Sequence, residues 1–187
     1  NATPEKFWAK WEEKFTTDEE QREYNNELVS LKNKALPDII KDQLFSDRFR
    51  YVRQYFDTMA QQEVIPTEQD KYLYGLCRPE RLMELVFSYI LFDNGEKKVA
   101  RYQQYFAIRK SIRRIAHLEK GRRKGGVIWH TQGSGKSLTM VMLAQAIAME
   151  TGIRNPKIIL VTDRTDLDQQ ISDTFRKCVK FVEKATT

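Results

Sequence analysis

The apolar positions change rhythm part-way along the chain. Up to about residue 120 they recur at three- and four-residue intervals, the spacing that lines one face of a helix. Leu28, Leu31, Ala35 and Ile39 follow it, with Pro37 where a new helix can begin. Phe49, Val52, Phe56 and Met59 repeat it, with Arg48, Arg50 and Arg53 between them. Ile65-Pro66-Thr67 interrupts the pattern, and Thr67 followed by Asp70 reads as a helix start. Cys77-Arg78-Pro79-Glu80 opens a helix carrying Leu82, Leu85, Val86 and Tyr89, which Asp93-Asn94-Gly95 ends with turn chemistry. Val99, Tyr102, Phe106, Ile112 and Ala116 predict a long basic helix after it. The Tyr and Phe side chains of these helices are expected in the core, not as stacking platforms for bases.

Beyond the basic, glycine-containing turn at Gly121 to Gly126 the pattern differs. Val127-Ile128-Trp129 is too short for a helix and reads as a buried strand. Lys136 to Met149 predicts an apolar helix with Leu138, Val141, Met142 and Ile147. After a break at Gly152 to Pro156, Ile158-Ile159-Leu160-Val161 is the clearest strand. Such unalternating runs suit a parallel sheet covered on both faces. Leu167, Ile171, Phe175 and Cys178 mark a last helix, with Asp166 placed as cap and Gln169 as its third-position partner. The expected fold class is α/β. A mostly helical region, residues 1–95, leads into the first part of a parallel-sheet domain, residues 96–187. That domain is expected to be incomplete, because two parallel strands cannot bury both faces of a sheet.

Composition adds little to this picture and charge adds more. With 187 residues, 41% hydrophobic and 31% charged, the chain is ordinary globular material. No apolar run approaches the roughly 18 residues of a membrane span, and no secretory signal is visible, so no membrane partner is expected. Cys77 and Cys178 form neither a metal spacing nor a redox pair, which favours a reduced, cytoplasmic setting. The sequence opens on Asn1, not Met, and is expected to be cut from something longer. Of the +6 net charge, Glu96 to Lys124 alone carries +9: eleven Lys or Arg (97, 98, 101, 109, 110, 113, 114, 120, 122, 123 and 124) against Glu96 and Glu119. A basic block on an otherwise slightly acidic chain points to a polyanion partner. A plain solvated helix face is the other reading.

The candidate chemistry lies between the expected strand and the apolar helix, in His130-Thr-Gln-Gly-Ser-Gly-Lys-Ser-Leu138. Gly133 and Gly135 flank Ser134 and let the backbone turn so that its N–H groups approach an anion without a Cβ in the way. The following helix points its unpaired N–H groups and positive dipole end at the same place. Lys136 adds a charge that can reach β- and γ-phosphates, as the catalytic cation, and Ser137 can ligate Mg²⁺. The expected nucleotide-binding set is Thr131, Gly133, Ser134, Gly135, Lys136, Ser137 and Leu138, with ATP and Mg²⁺ as cofactors. The general phosphate-loop pattern asks for Gly six positions before the Lys, where His130 stands. His130 is read as a strand-end residue, not a catalyst.

The departure is informative. "HTQGSGKSLTM" closely resembles the motor subunit of type I restriction enzymes, helicase-like translocases of superfamily two, in which a His at that point is usual. "VARYQQYFA", residues 99–107, looks like that family's Arg-Tyr-x-Gln-Tyr segment, a counterpart of the adenine-reading Q-motif. The resemblance implies that Gln104, helped by Arg101, contacts the base. "VTDRTDLDQQI", residues 161–171, looks like the motif Ia segment that touches the DNA backbone, with Arg164 and Thr165 as contacts. "CRPERLMELVFSYILFDNGEKKVARYQQYFA" resembles the lead-in joining nuclease to motor. Together these cover about residues 76–178.

The family implies a RecA-like domain and an ATP-driven subunit that translocates double-stranded DNA before cleaving it, working with specificity and methyltransferase subunits. The Asp-Glu motif that would order Mg²⁺ and water is not recognisable in the sequence, and Asp163, followed by Arg, is not read as part of one. Nor is a nuclease Asp…Glu-x-Lys set recognisable. This stretch alone is therefore expected to hydrolyse ATP negligibly. The alternatives are a non-enzymatic helical coupling or DNA-docking module with a vestigial phosphate loop, or another superfamily-two helicase. A small phosphate-loop kinase is disfavoured by the helical lead-in.

Overall fold

The computed structural model describes residues 10–45 and 47–178; the outer ends of the two expected regions, 1–9 and 179–187, lie outside the described residues. The chain forms two compact units, which divide at Arg78 and Pro79.

The first unit is helical. Helix α1 (Asp18–Lys32) starts at Thr17, whose side chain accepts the Glu20 N–H, and it buries Tyr24 and Leu28. Helix α2 (Asp38–Leu44) begins directly after Pro37, as that residue's fixed φ favours. A single 3₁₀ turn leads into α3 (Arg50–Met59), and α4 (Glu68–Cys77) completes the unit. Thr67 and Asp70 cap α4 reciprocally, as their spacing predicts. Two other expectations fail here. The Leu28-to-Ile39 pattern is broken where α1 stops at Lys32, and Ile39 is exposed. In α3 no residue is buried, and Tyr51, Tyr55 and Phe56 face solvent. Helical spacing needs a broad partner face to become core, and α3 meets the short α2 stretch only at its edge, where Phe56 stacks on Phe45 at 5.4 Å and Asp57 pairs with Lys41.

The second unit holds the candidate site. Helix α5 (Pro79–Ser88) is followed by an antiparallel hairpin, β1 (Ile90–Asp93) with β2 (Glu96–Val99). The hairpin turns on Asn94 and Gly95, both at positive φ (52° and 83°), as a tight two-residue turn demands. Residues 96–99 are thus strand, and the basic helix α6 (Tyr102–Ala116) starts later than its apolar spacing suggests. A second small hairpin, β3 (Leu118–Glu119) with β4 (Arg122–Arg123), turns on Lys120 and Gly121, again at positive φ. Helices α7 (Lys136–Met149) and α8 (Thr165–Cys178) follow. Leu85, Tyr89, Leu91, Tyr105, Ile108, Val141 and Met142 form the core between α5, α6, α7 and β1.

The expected parallel sheet is not formed. Among the described residues neither 127–129 nor 158–161 pairs with another strand; the described sheets are the two antiparallel hairpins. Exposure alternates along both segments. Val127 and Trp129 are about nine-tenths exposed and Ile128 about half that; Ile159 and Val161 are open and Ile158 and Leu160 half-covered. Ile128 borders a cavity beside α7, whereas Val127 and Trp129 face water. A buried parallel strand needs neighbours on both sides, and these two segments lack them here. Asp166 is not the cap of α8 either: the helix already includes Thr165, and Asp166 sits in its first turn paired to Arg164.

Candidate phosphate-loop site

Gly133 and Gly135 both take left-handed backbone angles (φ 75° and 81°), a conformation that costs glycine nothing and other residues about 1–3 kcal/mol. They fold residues 131–135 into a turn in which the Ser134 N–H and hydroxyl both reach the Thr131 carbonyl, at 3.4 and 2.7 Å. Gly135 is the residue before α7, and no side chain caps that helix. Its first amides, from Lys136 to Leu138, are therefore left to a ligand or to water. Lys136 is exposed, and Ser137 and Leu138 are half-covered behind it. A shallow cavity beside the loop is lined by Ile128, His130, Lys136, Thr139, Met140 and Leu143.

Gln104 meets the loop from below. It is 6% exposed, and both ends of its amide are engaged. Its Oε1 accepts the Arg101 N–H at 2.9 Å, capping α6. Its Nε2 donates to the Gly135 carbonyl (3.3 Å) and to Thr139 Oγ1 (3.1 Å). Thr139 in turn donates its N–H and its hydroxyl to the same Gly135 carbonyl, each at 3.0 Å. A Cβ on Gly135 would stand 2.9 Å from Gln104 Nε2, so a larger residue there would displace the Gln104 amide from the loop. Arg101 is exposed at the mouth of α6. Thr139 was not singled out in the sequence, although a Thr four residues after a loop glycine has the reach to bond back to its carbonyl.

His130 Nδ1 lies 3.1 Å from Ser134 Oγ. Because Ser134 spends its hydrogen on Thr131, the imidazole must be the donor of that pair. Its Nε2 is then an acceptor, and it is buried without a hydrogen-bond partner beside the cavity. Arg164 and Thr165 are both exposed at the start of α8. The Arg164 guanidinium holds Asp166 at 2.8 Å and keeps that carboxyl below its usual range. A surface pair of this kind contributes at most about 1 kcal/mol, so Arg164 can exchange it for another anion. Among the described residues no group of His, Cys, Asp and Glu is arranged to hold a metal ion, and no helix is long and apolar enough to cross a membrane.

The loop, the uncapped helix and the buried glutamine can be set beside known proteins. A model of the SWI2/SNF2 ATPase family matches residues 103–187. The type I restriction enzyme HindI endonuclease subunit of Haemophilus influenzae is 37% identical over 136 residues, 69% of this chain. The chain belongs to the family of type I restriction enzyme endonuclease subunits. A member in Methanocaldococcus jannaschii, named for the enzyme MjaIXP, is 32% identical over 140 residues, 72% of this chain. One in Staphylococcus aureus, named for SauCOLORF180P, is 31% identical over 108 residues, 57% of this chain. The matched stretch spans 12%, 13% and 11% of these three family members. No solved structure gives a significant match.

Proposed function

We propose that this chain is the nucleotide-entry segment of an ATP-driven double-stranded DNA translocase that delivers DNA to an endonuclease. The observation that carries the proposal is the junction at Gly135. A left-handed glycine there feeds an uncapped helix whose first residues are Lys136 and Ser137. A triphosphate fits this donor set. The amides of Gly133 to Leu138 would bind its oxygens, with Thr131 and Ser134 shaping the loop. Lys136 would neutralise the β- and γ-phosphates, and Ser137 would supply a hydroxyl to Mg²⁺. The bound nucleotide supplies the free energy for cleft closure and release.

Base recognition would rest on α6. Both Gln104 amide hydrogens are engaged by Gly135 and Thr139, leaving one Oε1 lone pair for an amino group such as adenine's. Arg101 stands beside it as helper. Arg164 and Thr165, exposed at the start of α8, would meet DNA phosphates, contacts that ignore sequence as a motor requires. Partner subunits for sequence specificity and methylation, and a cytoplasmic setting, belong to the same reading. It further holds that these 187 residues alone bind ATP without turning it over at a motor's rate.

The decisive measurement is ADP and ATP affinity of the chain with and without Lys136→Ala. A phosphate seat loses most of its affinity, on the order of tenfold or more. A helical docking module with a vestigial loop shows no nucleotide effect in either form, and that result overturns the proposal.

A further inference from the structure

Arg81 is an expensive residue to find where it lies. It is 2% exposed on α5, and burying a guanidinium costs several kcal/mol unless its surroundings compensate. Its charge sits 4.4 Å over the Tyr105 ring and 5.3 Å from that of Phe106. Tyr105 is fully buried and held from three further sides. Its ring packs on Tyr89 at 4.7 Å between centroids. Its hydroxyl donates to Glu84 and accepts from Arg109 at 3.0 Å, and Arg109 closes the circuit to Glu84 at 3.5 Å. Burial and the Glu84 bond raise the Tyr105 pKa, so it remains a phenol with a proton to donate. A well-packed apolar cluster could fill the same space at less cost. What the polar arrangement adds is direction: the bonds to Glu84 and Arg109 fix where the Tyr105 hydroxyl points.

Gln104 is the neighbouring residue on the same helical turn. Whatever fixes Tyr105 fixes the azimuth of Gln104, and Gln104 touches the loop at the Gly135 carbonyl and at Thr139. We infer that Arg81, Glu84 and Tyr105 are positioning residues for the phosphate loop, acting through Gln104 on the entry of α7. The inference rests on the reading of that loop as a nucleotide seat. It assigns a role to α5 residues that lie some fifty positions before the loop and outside the cavity beside it. The distances suit a directional device. At 3.1 and 3.3 Å the Gln104 bonds have little slack, and a small rotation of α6 breaks them.

The test is a mutant cycle on the full-length protein, reading ADP affinity by calorimetry well below the unfolding temperature, with Tm measured alongside. Tyr105→Phe removes one hydroxyl and keeps the ring; Glu84→Gln, on a half-exposed side chain, keeps the shape and removes the charge. Each is expected to weaken ADP about three- to tenfold. Gln104→Ala is expected to do likewise, and Tyr105→Phe should then add little on top of it. A fall in Tm with unchanged ADP affinity in both single variants makes the cluster merely structural and overturns the inference. Fully additive losses overturn the route through Gln104. Lys136→Ala separates the two levels. If it abolishes ADP binding while Tyr105→Phe and Glu84→Gln do not weaken it, only the positioning role falls. If it leaves ADP binding intact, the seat itself is refuted and the positioning role with it.

Discussion

His130 takes the position where a phosphate loop ordinarily has glycine, and its ring is tied into the loop by Ser134. The direction of that bond follows from proton counting, since the Ser134 hydroxyl already serves Thr131. Neutral His130 should therefore be the Nδ1–H tautomer, the less common form in water. Nitrogen-15 NMR of the imidazole reads this directly: a protonated Nδ1 and a bare Nε2 are expected in the neutral ring, and the opposite pattern refutes the geometry. Lys136, Ser137 and the two loop glycines are legible as a candidate set, because their types and spacing mark a left-handed turn at a helix start, and the structure forms that turn at Gly133 and Gly135. The orientation of His130 was not, because it depends on a hydrogen bond four residues away whose direction only three-dimensional placement fixes. Thr139 and Tyr105 were hidden for the same reason. One looks like a helix filler and the other like core, and each acts through a partner more than twenty positions distant.

Among the elements, the reciprocal cap at the start of α4 forms as its spacing predicts, whereas the expected Asp166 cap of α8 does not. Helix α4 starts at Thr67 because its hydroxyl takes the Asp70 N–H at 3.3 Å and the Asp70 carboxylate returns to the Thr67 N–H at 2.8 Å. Above all the Lys32 ammonium of α1, at 2.8 Å, and then the Thr67 bonds hold the Asp70 pKa down at about 2, against 3.8 for a free side chain. A carboxyl with a depressed folded pKa contributes stability that is complete above the unfolded value and is lost as pH falls through the folded one. The contribution of Asp70 should thus fade between pH about 4 and about 2. Asp70→Asn should flatten that part of the stability profile, and Thr67→Ala should cost about 1 kcal/mol at neutral pH. Chemical denaturation at several pH values tests both; an Asp70→Asn profile that keeps the native slope rules out this role. The hairpin β1–β2 is less legible in the sequence. Asn94-Gly95 is a strong turn pair, but the three-four spacing of Val99, Tyr102 and Phe106 competed with it. Val99 lies in β2 and contributes nothing to α6.

For the whole molecule, the unmet element is the sheet. The segments 127–129 and 158–161 carry the strand composition but present their open residues to water. Backbone amides without partners exchange quickly, whereas the amides of Tyr105 and Ile108 lie in a buried helix. Hydrogen exchange of this chain should therefore show early labelling at 158–161 and strong protection along α6. Protection at 158–161 equal to that of α6 would mean that these residues are paired, in conflict with the structure. Apolar segments of this kind become strands when something lies alongside them, since periodicity states a preference and hydrogen-bonded neighbours realise it.

The sequence by itself determined the local folding around the candidate site: glycines where the backbone must turn left, a lysine and serine at a helix start, and, elsewhere, a reciprocal cap at Thr67 and Asp70. Those features depend on residues within a few positions of each other, so spacing and residue type suffice. Only the tertiary structure decided that Gln104 underlies the loop, that Arg81 is buried against Tyr105, and that among the described residues the apolar runs at 127–129 and 158–161 pair with no strand. These outcomes depend on what lies across space, through desolvation, hydrogen-bond geometry and the presence or absence of a neighbouring strand, and no local pattern encodes them.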